Sequence, residues 1–167
     1  YSSALKSTAI KLSKISGDLI LLASGPRAGL SEINLPAIQP GSSIMPGKVN
    51  PVVPEVVNCV AFRVIGNDAT VGYAAHSGQL QLNAYEPLNG LVNIESQALL
   101  FNVSKLFRTK CVDGITVNQK QLARYLETTV GIVTALNPVI GYERATELAA
   151  EDYKSGKGLL EIIREKK

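Results

Sequence analysis

The sequence predicts an all-α protein, in which long helices of a central bundle come before a small helical carboxy-terminal domain. Apolar residues recur at intervals of three and four over long stretches, which is the spacing of a buried helical face. Residues 49–107 hold only six charged side chains, about half the density of the whole chain, of which 19% is charged. Helices this poor in charge are expected to be buried on most sides.

The first predicted helix has one buried stripe and ends at Ser24-Gly25-Pro26. Residues 25–51 then contain four glycines and five prolines, too many for regular structure. Long loops in compact domains tend to be functional, so this segment is the first place to look for a site. The residues of the predicted stripe are Leu5, Ala9, Leu12, Ile15, Leu19 and Leu22.

A second helix is predicted from Pro51 onward. Its β-branched residues would also suit a strand, but the apolar run is too long for one. Apolar residues surround the helical wheel instead of lying on one side. Since a chain of 167 residues cannot cover such surfaces alone, we expect them to pack against other subunits.

A third helix is predicted over residues 91–107 and ends at Cys111-Val112-Asp113-Gly114. Gly114 also marks the beginning of a more highly charged tail. We therefore predict a domain boundary there, with the last part of the bundle at residues 1–113 and a small helical domain at residues 114–167.

Asn118 is suited to cap the first helix of the small domain. That helix is expected to end before Asn137-Pro138, because proline interrupts a helix. Two short helices, at residues 143–153 and 159–164, complete the prediction.

Composition excludes several classes of protein. The net charge is only +3, and no cluster of lysine and arginine with interleaved aromatic residues indicates nucleic-acid binding. Cys59 and Cys111 lie far apart without metal-ligand neighbours, which favours reduced thiols in the cytoplasm over a disulfide or a metal site. No apolar run reaches the length of a membrane span, and no leader is expected. Because Tyr1 enters a helical pattern at once, we expect the chain to be truncated at its amino end.

The informative segment is Gly41-Ser42-Ser43-Ile44-Met45-Pro46-Gly47-Lys48-Val49-Asn50-Pro51, here called the signature loop. A phosphate-binding loop is disfavoured, since five residues instead of four separate Gly41 from Gly47, and valine instead of serine or threonine follows Lys48. The segment resembles the signature loop of the fumarase/aspartase superfamily, whose members eliminate ammonia, water or a larger amine to give fumarate. The resemblance extends over almost the whole chain, through Ser24-Gly25-Pro26-Arg27 upstream and Ser77-Gly78-Gln79-Leu80-Gln81-Leu82-Asn83 downstream.

Within the superfamily, the chain is more similar to the aspartases than to the fumarases. The residues that carry this preference are Pro51-Val52-Val53-Pro54-Glu55 and the stretch from Gly78 to Asn83 with Glu86-Pro87. The resemblance implies reversible deamination of L-aspartate to fumarate and ammonia, without an organic cofactor. A fumarate hydratase or another lyase of the superfamily is the alternative within the family.

Such a reaction begins with a very weak carbon acid, because removing a proton beside a carboxylate places a second negative charge on that group. Backbone N–H groups in a glycine-bearing loop can stabilise the resulting dianion. Lys48 would add a positive charge and Asn50 a neutral donor.

By resemblance, Ser42 is the base that removes the proton as an alkoxide, through an aci-carboxylate intermediate, and Lys48 and Asn50 hold a substrate carboxylate. A serine alkoxide needs several donors, for which the amides of Ile44 and Met45 are candidates. Gly41, Ser43 and Gly47 would complete the loop that stabilises the oxyanion. Closure of this loop over the substrate would supply the donors and exclude water.

The resemblance also implies a homotetramer whose active sites are each built from three chains. Other substrate contacts of the family lie in segments upstream of this chain, so residues 1–167 alone are expected to be inactive. His76 does not match the family's catalytic histidine and is expected to be structural, whereas Ser31 stands where glycine is common.

A non-catalytic structural protein on the same scaffold is the alternative of another class. The joint presence of Ser42, Lys48 and Asn50 speaks against it, because a purely structural descendant does not need an open, glycine-rich anion loop.

Overall fold

The computed structural model describes residues 1–129 and 131–165, so the last two residues of the predicted small domain lie outside the described part. The all-α expectation is confirmed, and strand structure among the described residues is limited to two short segments. The elements in chain order are α1 (Ser2–Leu22), β1 (Ile33–Asn34), α2 (Val52–His76), α3 (Glu86–Lys110), a 3-10 turn (Val112–Gly114), β2 (Thr116–Val117), α4 (Gln119–Thr128), α5 (Ile132–Ile140), α6 (Tyr142–Ser155) and α7 (Leu159–Glu165).

The chain forms two compact units, Tyr1–Val117 and Asn118–Lys167. The first unit extends three residues past Gly114 because β2 pairs with β1 in antiparallel register, with Ile33 opposite Val117 and Asn34 opposite Thr116. The assignment of the two units to the bundle and to the small domain of the superfamily stays a prediction.

In the first unit, α1 and α3 pack on α2 around a core of small and β-branched side chains. The predicted stripe of α1 is wrong at one position. Ile15 is 48% exposed, whereas Ser16 is completely buried. The buried Ala9 and Ser16 and the partly buried Leu12 and Leu19 follow the helical period, and this places Ile15 beside the contact. The core residues are Ala9, Val53, Val57, Ala61, Val64, Leu100, Val103, Phe107 and Cys111.

Polar contacts join the three helices. Asp68 of α2 accepts hydrogen bonds from Lys6 and Ser2 of α1, and these bonds lower the pKa of its carboxyl group. Asn67, also in α2, donates to Ser96 and Glu95 of α3. The lateral position of the helices is therefore fixed by directional bonds as well as by apolar packing.

The second helix is confirmed as a helix, and its apolar residues do lie on more than one side. Phe62 is 63% exposed and Tyr73 is 76% exposed, and α3 presents Leu91, Ile94 and Phe101 at 66–70% exposure. No side chain in the described ranges, 1–129 and 131–165, covers them. No helix among the described residues combines the length and the apolar character needed to cross a membrane.

The prediction for the start of the second unit is partly wrong. Asn118 does cap α4, since its side chain accepts from the amide of Gln121. That helix ends at Thr128, before Asn137-Pro138 as predicted, but a separate helix that was not predicted, α5, follows it and runs through Pro138. Pro138 has no backbone N–H group to donate to the carbonyl of Thr134. Both residues are exposed, so water can donate a hydrogen bond to that carbonyl instead.

The two short helices are confirmed with slightly different bounds, as α6 and α7. Gly156 ends α6 in the left-handed conformation with φ of 65°, which glycine adopts at no steric cost. Val133, Ala145 and Leu159 from three different helices form the buried centre of this unit.

Candidate active-site loop

The signature loop lies between β1 and α2 on the surface of the first unit. Residues 43–49 are exposed, and three of them carry large hydrophobic side chains. Ile44 is 87% exposed, Met45 52% and Val49 53%. The loop is therefore not part of a packed core, and its apolar side chains are available to cover a bound molecule.

Ser42 lies at the beginning of the loop and is half-buried. Its Oγ accepts hydrogen bonds from the amide nitrogens of Ile44 and Met45, each at 3.1 Å. These are the two donors that the sequence analysis considered for Ser42, and the loop brings them together. Two converging N–H groups favour a negative charge on the oxygen over a neutral hydroxyl group.

A tight turn directs the chain back after Met45. The amide of Lys48 donates to the carbonyl of Met45 at 3.3 Å, with Pro46 and Gly47 between them. Gly47 has φ of +76°, and proline followed by a residue of positive φ is the sequence of a type II turn. The turn therefore follows directly from the Pro46-Gly47 pair.

Gly41 and Asn50 hold the two ends of the loop together. The amide of Gly41 donates to the carbonyl of Lys48 at 2.7 Å, and Nδ2 of Asn50 donates to the carbonyl of Gly41 at 3.0 Å. A Cβ atom on Gly41 would lie 2.7 Å from the Lys48 oxygen and 2.9 Å from the Asn50 nitrogen. Only glycine fits at this position. This connection between the two ends of the loop was not predicted from the sequence.

Lys48 is exposed, and its ammonium group forms no ion pair with any residue of the ranges 1–129 and 131–165. It lies four residues before the first residue of α2, whose amino end carries a partial positive charge. The ammonium group of Lys48 gives this part of the loop a positive charge that suits a carboxylate.

The segment that leads into the loop is held by local bonds. Oγ of Ser24 accepts from the amide of Leu30 and donates to the carbonyl of Leu21. Ser31, which stands where the family commonly has glycine, adopts a positive φ of 51°. The backbone therefore has the left-handed conformation that a glycine would favour, and serine is accommodated in it.

Two other residues considered in the sequence lie apart from these contacts. The side chain of Ser43 is exposed and makes no hydrogen bond within the described part of the chain. His76 is the last residue of α2, a helix of 25 residues that begins beside the loop. At 1.5 Å per residue, the helix places His76 roughly 36 Å from the loop within one chain.

Comparisons with known proteins agree with this architecture. The family described as "Lyase" matches residues 1–66, which include the whole signature loop. The family described as "Fumarase C C-terminus" matches residues 132–167.

Curated relatives cover the chain from end to end. It is 55% identical to the aspartate ammonia-lyase of Pseudomonas aeruginosa over 167 residues, which are 100% of this chain and 35% of the relative. Identity to the aspartate ammonia-lyase of Helicobacter pylori is 56%, over 99% of this chain and 36% of the relative. Identity to the aspartate ammonia-lyase of Escherichia coli K12 is 53%, over 98% of this chain and 34% of the relative. The chain thus spans about a third of the length of the curated relatives it matches.

Solved structures have the same fold. A structure described as fumarate lyase:delta crystallin from Brucella melitensis bound to cobalt superposes with a TM-score of 0.93 at 52% identity, covering 99% of this chain and 36% of the other. A class II fumarase from Schistosoma mansoni superposes with a TM-score of 0.88 at 40% identity, covering 95% of this chain and 33% of the fumarase. The chain belongs to the fumarase/aspartase superfamily of lyases and corresponds to their carboxy-terminal portion.

Proposed function

We propose that the full-length protein containing this chain is an aspartate ammonia-lyase, which converts L-aspartate reversibly to fumarate and ammonia in the cytoplasm. Identities of 53–56% to several aspartate ammonia-lyases support this choice over the fumarases, since the class II fumarase from Schistosoma mansoni is 40% identical. The single observation that carries the mechanism is the pair of amides, from Ile44 and Met45, at the oxygen of Ser42.

Ser42 acts as the base. As an alkoxide it takes a proton from the carbon next to a substrate carboxylate, and the electron pair of the C–H bond spreads into that carboxylate to give an aci-carboxylate. The pair then forms the carbon–carbon double bond while the C–N bond breaks and ammonia leaves. The proton on Ser42 passes to solvent, which regenerates the alkoxide.

The other residues of the loop stabilise charge. Lys48 faces a substrate carboxylate with its ammonium group, and Asn50 contributes a neutral N–H donor. The amides of Ile44 and Met45 lower the free energy of the alkoxide without any reorganisation during the reaction. Ile44, Met45 and Val49, all exposed here, exclude water when the loop closes over the substrate.

The active form is a homotetramer with active sites built from three chains. The support for assembly is the exposed apolar surface of α2 and α3, which includes Phe62, Tyr73, Leu91, Ile94 and Phe101. Because the remaining substrate contacts come from outside this segment, residues 1–167 alone are predicted to be inactive. Production of fumarate from L-aspartate by the purified segment would contradict this prediction.

The alternative within the superfamily is hydration of fumarate, and the similarity to the Schistosoma mansoni fumarase is the observation that keeps it open. The two activities are separated by incubating the full-length protein with fumarate, in the presence and absence of ammonium. Formation of L-aspartate that depends on ammonium supports the proposal. Formation of malate under both conditions would overturn it.

A further inference from the structure

The side-chain amide of Asn50 links the two ends of the signature loop. Its Nδ2 donates to the carbonyl of Gly41 at 3.0 Å, while the amide of Gly41 donates to the carbonyl of Lys48 at 2.7 Å. These two bonds enclose the residues between them, from Ser42 to Gly47.

The bond from Asn50 acts on one specific peptide unit. The carbonyl of Gly41 belongs to the same planar group as the backbone nitrogen of Ser42. Rotation of that plane would swing the Cα–Cβ bond of Ser42 and move Oγ away from the amides of Ile44 and Met45. Such a rotation breaks the hydrogen bond to Asn50, so the bond opposes it.

The peptide unit on the other side of Gly41 is held as well, through the bond from its N–H to Lys48. Gly41 is thus fixed at both its donor and its acceptor. Its lack of a side chain is what allows this close approach, because a Cβ atom there would meet the backbone of residues 48 and 50 at less than 3.0 Å.

An asparagine side-chain nitrogen carries two hydrogens. One of them is committed to the Gly41 carbonyl, which leaves the second for another acceptor, such as a substrate carboxylate. One side chain can therefore contact the substrate and determine the orientation of the base at the same time.

We propose that Asn50 is a positioning residue for Ser42: its bond to the Gly41 carbonyl keeps the Ser42 oxygen within reach of the Ile44 and Met45 amides. The inference rests on the proposed function, in which Ser42 is the base. It assigns to Asn50 a role in the reactivity of the serine, which is separate from binding substrate.

The test uses the full-length enzyme with the nearly isosteric variant Asn50→Asp and the backbone variant Gly41→Ala. The aspartate side chain removes the donor to the Gly41 carbonyl. The alanine methyl separates the two ends of the loop without changing any side chain that contacts substrate. Gly17→Ala is the matched control, because Gly17 lies in α1 and a Cβ atom there meets nothing within 4 Å.

Both test variants are expected to lower kcat by about a hundredfold or more, the loss typical of a displaced oxyanion donor. The pH at which kcat reaches its plateau should rise, because the alkoxide is less stabilised. KM for L-aspartate should rise more in Asn50→Asp, which loses the substrate contact itself, than in Gly41→Ala, which keeps both side chains that bind the carboxylate. Gly17→Ala should behave like the wild type.

The proposal is overturned if Asn50→Asp raises KM while kcat and its pH dependence are unchanged, or if Gly41→Ala turns over at the wild-type rate. Gel filtration shows whether each variant assembles. If Gly41→Ala does not assemble, the pH profile of Asn50→Asp alone decides whether Asn50 positions Ser42. Ser42→Ala separates this inference from the proposed function. Full activity of Ser42→Ala contradicts the serine mechanism itself, whereas an inactive Ser42→Ala beside a fully active Gly41→Ala contradicts only the positioning role.

Discussion

The side-chain nitrogen of Asn67 lies 2.9 Å from the hydroxyl oxygen of Ser96, and both residues are buried between α2 and α3. The same nitrogen donates to Glu95 at 2.7 Å, and the Ser96 hydroxyl donates to the carbonyl of Val92. A chain of bonded polar groups inside an apolar contact fixes the register of the two helices, because any shift would leave a buried group unsatisfied.

We predict that Asn67→Asp destabilises the protein by about 1–3 kcal/mol or more, the cost of unsatisfied buried polar groups. The new carboxylate cannot donate to Ser96, and it would lie beside the Glu95 carboxylate. Thermal unfolding of the full-length protein measures the effect, with Asn102→Asp, an exposed position of α3, as the matched control. Equal melting temperatures for the two variants would contradict the account of the helix register.

The Asp68 carboxylate should stabilise the fold in a manner that depends on pH. Its pKa is lowered first by the bond from Lys6 and then by the bond from Ser2. Because the folded-state pKa is below the unfolded-state value, this stabilisation is present above about pH 4 and is lost as the pH falls through the folded-state pKa.

Asp68→Asn should therefore lower stability at pH 7 by about 1 kcal/mol, a small value because Lys6 is partly exposed. The difference from the wild type should shrink below about pH 4. Calorimetry at a series of pH values measures it. A difference that is constant or grows toward acid pH would be inconsistent with the Lys6–Asp68 pair as the cause.

Replacing Lys48 should weaken substrate binding more than it slows chemistry. Lys48→Gln removes a positive charge from the signature loop, and we expect KM for L-aspartate to rise roughly ten- to hundredfold, the value of a hydrogen bond to a charged group. Steady-state kinetics at low and high salt measures this, with Lys11→Gln on the exposed side of α1 as the charge-matched control. If Lys48→Gln and Lys11→Gln have the same KM, Lys48 does not bind the carboxylate.

The sequence predicts the helices because their buried faces repeat along the chain. The prediction from sequence fails where the exact position within one helical turn determines whether a residue is buried. Ile15 and Ser16 are such a case, because they are neighbours at the edge of one stripe. It also fails at Pro138, because a proline at an exposed position near a helix end is tolerated although the residue type normally ends a helix.

Contacts between distant residues are the part that the sequence does not reveal. The pairing of β1 with β2 joins two-residue segments more than 80 positions apart, too short to have a periodic pattern. Within the signature loop, the amides of Ile44 and Met45 were expected near Ser42 because they are two and three residues away. The bond from Asn50 to Gly41 was not expected, since it depends on the path of the intervening turn. The roles of these residues in catalysis stay predictions.

The most direct measurement of the central claim is the turnover of L-aspartate by Ser42→Ala in the full-length, assembled enzyme, with Ser43→Ala beside it. The Ser42 oxygen accepts hydrogen bonds from the amides of Ile44 and Met45, whereas the Ser43 hydroxyl is exposed and makes no hydrogen bond within the described residues. We predict that Ser42→Ala loses at least about a thousandfold in kcat, while Ser43→Ala loses far less. Unchanged turnover by an assembled Ser42→Ala enzyme would contradict the assignment of Ser42 as the base.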